Sequence, residues 1–120
     1  MTAEMAISEY LLLFRNTKWY EGLSAEEIQQ NLDRFTAWFQ QLRKDGVFKG
    51  GGPLVPSGKI VKNRNVVTDG PFAESKEAIG GFLIIQANSF EQAVRIAEDC
   101  PGFKFGQTVE LRAIGPDLSG

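Results

Sequence analysis

Four charged residues lie close together in one short stretch of the sequence, and their side chains could perform acid/base chemistry. Three carboxylates and one ammonium fall within nine residues: Asp69, Glu74, Lys76 and Glu77. A carboxylate beside Lys76 could act as a general base, or as a general acid if burial raised its pKa. The alternative is structural: Asp69-Gly70-Pro71 forms a turn, Phe72 fills a hydrophobic gap and both glutamates are solvated. The residues alone leave both interpretations open.

A second candidate lies near the end of the sequence. From Thr108 to Ile114 apolar and polar residues alternate, which is typical of a strand, and Glu110 and Arg112 share its polar face. Arg112 could bind an anionic group of a substrate through paired hydrogen bonds. Alternatively, the two side chains form a cross-strand or intersubunit ion pair, as many structural charges do.

Three aromatic residues are candidates for the wall of a pocket, because rings supply a large contact area with a polar edge. Trp19 and Tyr20 lie in a polar segment that reads as a loop, so Trp19 is the better pocket candidate. Trp38 adjoins the apolar stripe of a predicted helix and is interpreted as packing. A lid over that helix would explain Trp19 equally well.

The composition excludes several kinds of site. The chain has no histidine and a single cysteine, so imidazole chemistry and a zinc site of His and Cys ligands are both excluded. Cys100 falls at the end of a predicted helix, where the dipole disfavours a thiolate nucleophile. Gly52 and Gly58 have the wrong spacing for a phosphate loop, and Ile60 stands where Ser or Thr would bind magnesium. We expect no metal and no cofactor.

The elements that position these candidates follow from the apolar pattern. Continuous apolar runs at Tyr10 to Phe14 and Gly81 to Ile85 predict two central strands with both faces covered. A capping box of Ser24 and Glu27 predicts the start of a helix that ends at Gly46. The remaining predictions are a bulged glycine-rich strand within 47–56, a hairpin with a polar tip at 62–65, a second helix after Ser89, and the last strand.

This order predicts an α+β fold with a ferredoxin-like antiparallel sheet and two helices on one face. We expect each helix to bury one apolar stripe: Ile28, Leu32, Phe35, Phe39 and Leu42 in the first, and Phe90, Ala93, Val94 and Ala97 in the second. Because helices cover only one face and the central strands are apolar on both, we expect a homodimer that packs sheet against sheet.

Length, composition and net charge indicate the class of protein. The 120 residues suit one domain spanning 1–120, and 42% apolar residues suffice for a core. Thirteen basic against fifteen acidic side chains give a net charge of -2, which argues against a nucleic acid partner. The apolar runs are too short for an export signal or for the roughly 20 residues that span a bilayer, so we expect a cytoplasmic protein without a membrane partner.

The eleven residues from Val67 to Glu77, followed by Gly80-Gly81-Phe82, closely resemble the hallmark of the YCII-related family, whose DGPF branch is named after residues 69–72. The resemblance extends over most of the chain. It implies a ferredoxin-like fold that forms a dimeric α+β barrel. Some relatives are proposed to be enzymes with a His/Asp pair, and DGPF-type domains occur joined to sigma factors. Because this chain has no histidine, only an aspartate such as Asp69 remains of that pair.

Two hypotheses follow. The first is an acid/base enzyme without a cofactor, acting on a small, anionic molecule in a cavity of the homodimer. Its catalytic residues would be Asp69, Glu74 and Lys76, and its substrate-binding residues Phe72, Glu77, Arg112 and Trp19. The second is a non-catalytic ligand-binding or regulatory module, linked to sigma-factor-dependent transcription.

Overall fold

The computed structural model describes residues 8–16, 18–55, 57–69 and 79–115. Two helices and six strands occur in these ranges, together with a 3₁₀ turn at Pro101–Phe105. The helices are α1 (Ala25–Lys44) and α2 (Phe90–Ala97). The strands are β1 (Ser8–Arg15), β2 (Phe48–Pro53), β3 (Lys59–Asn63), β4 (Val66–Asp69), β5 (Ile79–Ala87) and β6 (Thr108–Ala113).

Four strands form one antiparallel sheet in the order β2-β5-β1-β6. With β3 and β4 set aside as a separate hairpin, this is the strand order of a ferredoxin-like fold. The two continuous apolar runs lie side by side at the centre as β1 and β5, with Leu12 opposite Leu83. The expected α+β fold with an antiparallel sheet and two helices is confirmed.

Both helices lie on the same face of this sheet. Tyr10 of β1 meets Phe90 of α2 edge to face, and Phe14 of the same strand face meets Trp38 of α1. Leu12, Leu83 and Ile85 are fully buried between the sheet and the helices. The side chains that alternate with them, such as Leu11 and Leu13, point to the other face, which we call the open face.

The helix α1 begins as the sequence predicts. The Ser24 hydroxyl accepts a hydrogen bond from the Glu27 amide at 3.1 Å, and the Glu27 carboxylate accepts one from the Ser24 amide at 3.0 Å. These bonds lower the pKa of Glu27, with the Ser24 backbone contributing most. The helix ends before Gly46, whose φ of 77° is the left-handed conformation expected of a terminating glycine.

The predicted apolar stripes of the helices were partly wrong. In α1 the buried residues are Asn31, Trp38 and Leu42, while Leu32 is 44% exposed. A polar residue thus occupies a core position that periodicity assigned to its apolar neighbour. In α2 only the alanines are buried, and Phe90 and Val94 are exposed. Because its buried residues are small, α2 packs close to the sheet. Its larger side chains lie at the edges of this contact, where they are exposed.

The glycines of β2 allow its backbone to pair closely with the backbone of β5. The ladder to β5 is shifted between Phe48 and Gly50, as the expected bulge requires. A side chain at Gly51 would meet the Phe82 carbonyl at 2.6 Å, and the φ of Gly51 is 155°. The position therefore tolerates only glycine.

The hairpin of β3 and β4 is confirmed, although its turn is two residues long rather than four, and every residue of both strands is exposed. Within the described ranges, no helix combines the length and apolarity needed to cross a membrane.

Candidate ligand-binding cleft

A cleft of about 260 Å³ opens between α1 and one end of the four-stranded sheet. Four aromatic residues on the helix-covered side contribute to its wall: Phe14, Trp19, Phe35 and Phe39. Phe82 of β5 also borders the cleft, but its side chain alternates with the buried Leu83 and points to the open face. The remaining described lining comes from Leu32 and Thr36 of α1, Gly52 and Pro53 of β2, Gly80 and Gly81 of β5, and Gln107. The cleft is therefore an apolar, ligand-sized space of the kind that binds small molecules.

The fold fixes the aromatic wall from two sides. Phe14 is the last buried residue of β1, and its ring meets Phe35 of α1 edge to face, with centroids 6.1 Å apart. Phe35 and Phe39 lie one helical turn apart and pack at 6.0 Å. Since each ring is held by another ring, this wall is preformed.

Trp19 completes the wall from the segment after β1. Its ring packs against Phe105 of the 3₁₀ turn at 6.0 Å and against Tyr20 at 6.2 Å. Of the three aromatic candidates from the sequence, the structure places Trp19 in the cleft and buries Trp38 in the core. Packing was the interpretation of Trp38, and the structure confirms it.

Two polar side chains belong to the described wall. The Thr36 hydroxyl donates to the Leu32 carbonyl of its own helix at 3.1 Å. Gln107 is 7% exposed, and its Oε1 has no hydrogen-bond partner. Gln107 was not among the predicted site residues, because a single amide between a turn and a strand has no sequence signature.

Gly102 accommodates the Gln107 side chain. A Cβ at Gly102 would lie 1.7 Å from Oε1 and 2.7 Å from Cδ of Gln107. The absence of that Cβ leaves the space in which the amide lies.

The predicted catalytic segment borders the cleft in sequence. Asp69 is the last residue of β4, is exposed, and forms an ion pair with Lys59 across the hairpin. Phe72, Glu74, Lys76 and Glu77 lie outside the described residues. Gly80, three residues after Glu77, is part of the cleft wall.

Arg112 belongs to a charged cluster on the open face. Glu110 accepts hydrogen bonds from Arg15 of β1 at 2.5 Å and from Arg112 at 3.2 Å. The bond from Arg15, followed by the bond from Arg112, holds the pKa of Glu110 below its ordinary value. Because this cluster and the cleft lie on opposite faces of the sheet, Arg112 and Trp19 do not share one site within a chain.

Cys100 is buried, and burial raises the pKa of its thiol. This agrees with the expectation that it is not a nucleophile. Among the described residues, no group of three or more Cys, Asp or Glu side chains is arranged to hold a metal ion.

The sheet order, the one-sided helices and the apolar cleft define a ferredoxin-like α+β protein with a ligand-sized cleft. The chain belongs to the YCII-related domain family, which it matches over residues 9–115. No curated protein matches the sequence.

Among solved structures, it is similar to 5-chloro-2-hydroxyhydroquinone dehydrochlorinase from Burkholderia phenoliruptrix AC1100 in complex with 2,5-dihydroxybenzoquinone. The two share 19% identity over 87% of this chain and 90% of that chain, with a TM-score of 0.47. This similarity is too weak to transfer a reaction.

Proposed function

We propose that the protein binds a small organic molecule in the cleft between α1 and the sheet, and acts on it by acid/base chemistry without a cofactor. The preformed apolar cleft of about 260 Å³ carries this proposal. For scale, a dry apolar cavity of about 150 Å³ binds benzene. The cleft is therefore large enough for a molecule of one or two rings.

An unpaired polar atom in the wall of the cleft supports a functional role. Within the described residues, the buried side-chain atoms without a hydrogen-bond partner belong to Asn31, Trp38 and Gln107. Of these residues, Gln107 is part of the wall. A buried polar atom without a partner is costly, so the unpaired oxygen of Gln107 in the wall favours a site over simple packing.

We propose that the acid/base groups come from residues 69–77, the charged segment that precedes the wall residue Gly80 in the sequence. Asp69 would be the base or acid, and Glu74 and Lys76 would assist it, with Phe72 and Glu77 contacting the substrate. The sequence supports this assignment because Glu77 precedes the wall residue Gly80 by three positions.

We also propose that two copies of the chain associate through their open faces. Leu11, Leu13, Phe82 and Ile84 form an apolar patch there, bordered by the Arg15–Glu110–Arg112 cluster. An apolar centre with a charged rim is the usual anatomy of an interface. Arg112 would then lie at the rim of the space between the two sheets, on the face opposite the cleft.

One observation favours a non-catalytic role instead. The described part of the cleft wall carries no titratable side chain. If the segment 70–78 supplies none, the cleft would bind a ligand without turning it over, as in a regulatory module.

A thermal-shift screen of small molecules tests the proposal. A ligand present at 100 times its Kd stabilises the fold by about 2.7 kcal/mol, which raises Tm by roughly 10 °C for a domain of this size. Thr36→Trp, which places an indole at the cleft, should abolish the shift. Gln40→Trp, an exposed position on the same helix outside the described wall, should preserve it.

A ligand that stabilises both variants equally would place the binding site elsewhere. With a turned-over ligand in hand, Asp69→Asn should abolish turnover and leave binding intact. Full turnover by that variant would remove Asp69 from the chemistry, and binding without turnover by the wild type would favour the regulatory module.

A further inference from the structure

We infer that the molecule bound in the cleft inserts an uncharged, flat ring that carries one neutral hydrogen-bonding group, and that this group pairs with the side chain of Gln107. The inference rests on the proposed function, because it names the chemical class of the ligand for that same cleft.

The shape of the wall selects a flat ring. The rings of Phe14 and Phe35 stand at 87° to each other, and those of Phe35 and Phe39 at 55°. Their mutual packing holds them in place, as the packing of Trp19 against Phe105 holds the indole. Aromatic rings favour stacked or edge-to-face contact with another ring, and a preformed wall of rings offers both geometries.

The absence of charged side chains from the described wall favours an uncharged ring. None of the described lining residues is Asp, Glu, Lys or Arg. An ionised group buried among them would lose its hydration without gaining a counter-charge, which is strongly unfavourable. Any charged substituent of the ligand must therefore point away from this part of the wall.

Gln107 selects one neutral polar group. Thr36 already donates its hydroxyl proton within α1, whereas the Gln107 amide is buried and its Oε1 has no partner. A hydroxyl group both donates and accepts, so it can pair with either end of an amide. A ring with one hydroxyl would satisfy the amide and leave the rest of the wall in apolar contact.

Four ring compounds test each part of the inference: phenol as the match, toluene without the hydroxyl, cyclohexanol without the flat ring, and benzoate with a charge. Binding is followed by NMR titration through the indole N–H signals of the two tryptophans, with the Trp19 signal assigned from Trp19→Phe. Phenol should shift the Trp19 signal, cyclohexanol should bind more weakly, and benzoate should also bind more weakly than phenol, because its carboxylate must stay outside the wall and leaves Gln107 unpaired.

The Gln107→Leu variant tests the hydrogen bond. Phenol should lose at least about fivefold in affinity, since its hydroxyl would be buried unpaired, while toluene should stay within about twofold. Gln107→Met, an unbranched side chain of similar length, serves as the second variant if the first unfolds.

The outcomes separate this inference from the proposed function. If benzoate or cyclohexanol binds as tightly as phenol, or if Gln107→Leu and Gln107→Met weaken phenol and toluene equally, the ligand class is wrong even where Thr36→Trp still blocks the cleft. If no ring compound and no compound of the wider screen shifts the Trp19 signal, both the class and the cleft itself are wrong.

Discussion

Substitution of Ile84 by Asp should convert a homodimer into a monomer. Ile84 lies on the open face of β5, opposite Leu11 of β1 and Gly50 of β2. Neither of these paired residues carries a charge, so the new carboxylate would gain no direct cross-strand ion pair. Leu13 is a poorer choice, because it lies opposite Glu110 and two residues from Arg15.

The size of the effect follows from two terms. Complete burial of an isoleucine contributes about 1.5–3 kcal/mol, of which roughly 1 kcal/mol remains to be gained by a side chain already partly buried in the monomer. Each carboxylate buried without a partner adds several kcal/mol. Two-fold symmetry counts both terms twice, so the dimer should lose at least about 5 kcal/mol, more than a thousandfold in Kd.

Sedimentation equilibrium at micromolar concentration measures the outcome. The wild type should have twice the chain mass of 13.3 kDa, and Ile84→Asp should have the mass of one chain. Thr108→Asp, at an exposed position on the same face, is the matched control and should remain dimeric. A wild type of 13.3 kDa at these concentrations would contradict the proposed homodimer, because the open face would then be stable in water.

Three further predictions concern the fold. Ser24→Ala should cost about 1 kcal/mol and lower Tm by roughly 3–6 °C, while Ser24→Asp should keep the cap, as differential scanning calorimetry would show. The lowered pKa of Glu110 stabilises the fold above the unfolded-state value near 4.5, and this contribution disappears as the pH falls through the lower folded-state pKa. In urea unfolding the wild type should therefore lose stability relative to Glu110→Gln between pH 7 and pH 3, and parallel curves would contradict the pairing with Arg15. Gly102→Ala should cost about 1–3 kcal/mol by displacing the Gln107 amide, and Gln107→Ala should rescue it; no rescue would place the strain elsewhere.

Most of the fold could be predicted because local signals and burial agree. The capping box at Ser24, the left-handed Gly46 and the two apolar runs each determine their own structure without help from distant contacts. The positions that periodicity missed depend on tertiary packing. Asn31 is buried because other elements pack against that side of α1. A pattern of apolar residues cannot indicate that a polar residue lies in the core.

The candidate site was less predictable than the fold. Trp19 was a candidate for a pocket wall because it lies in a loop, and the structure places it in the wall of the cleft. Gln107 gave no signal, since its importance depends on the cavity beside it and on the missing side chain of Gly102. The role of Arg112 in binding a substrate stays a prediction, and so does the catalytic role of Asp69.

A crystal structure of the protein grown with the best-binding ring compound would show whether the cleft is the binding site. We predict that the ring lies between Phe14, Trp19 and Phe35, with its polar group against Gln107. A ligand bound elsewhere, for example beside Arg112 between two sheets, with the cleft closed by its own side chains, would contradict it.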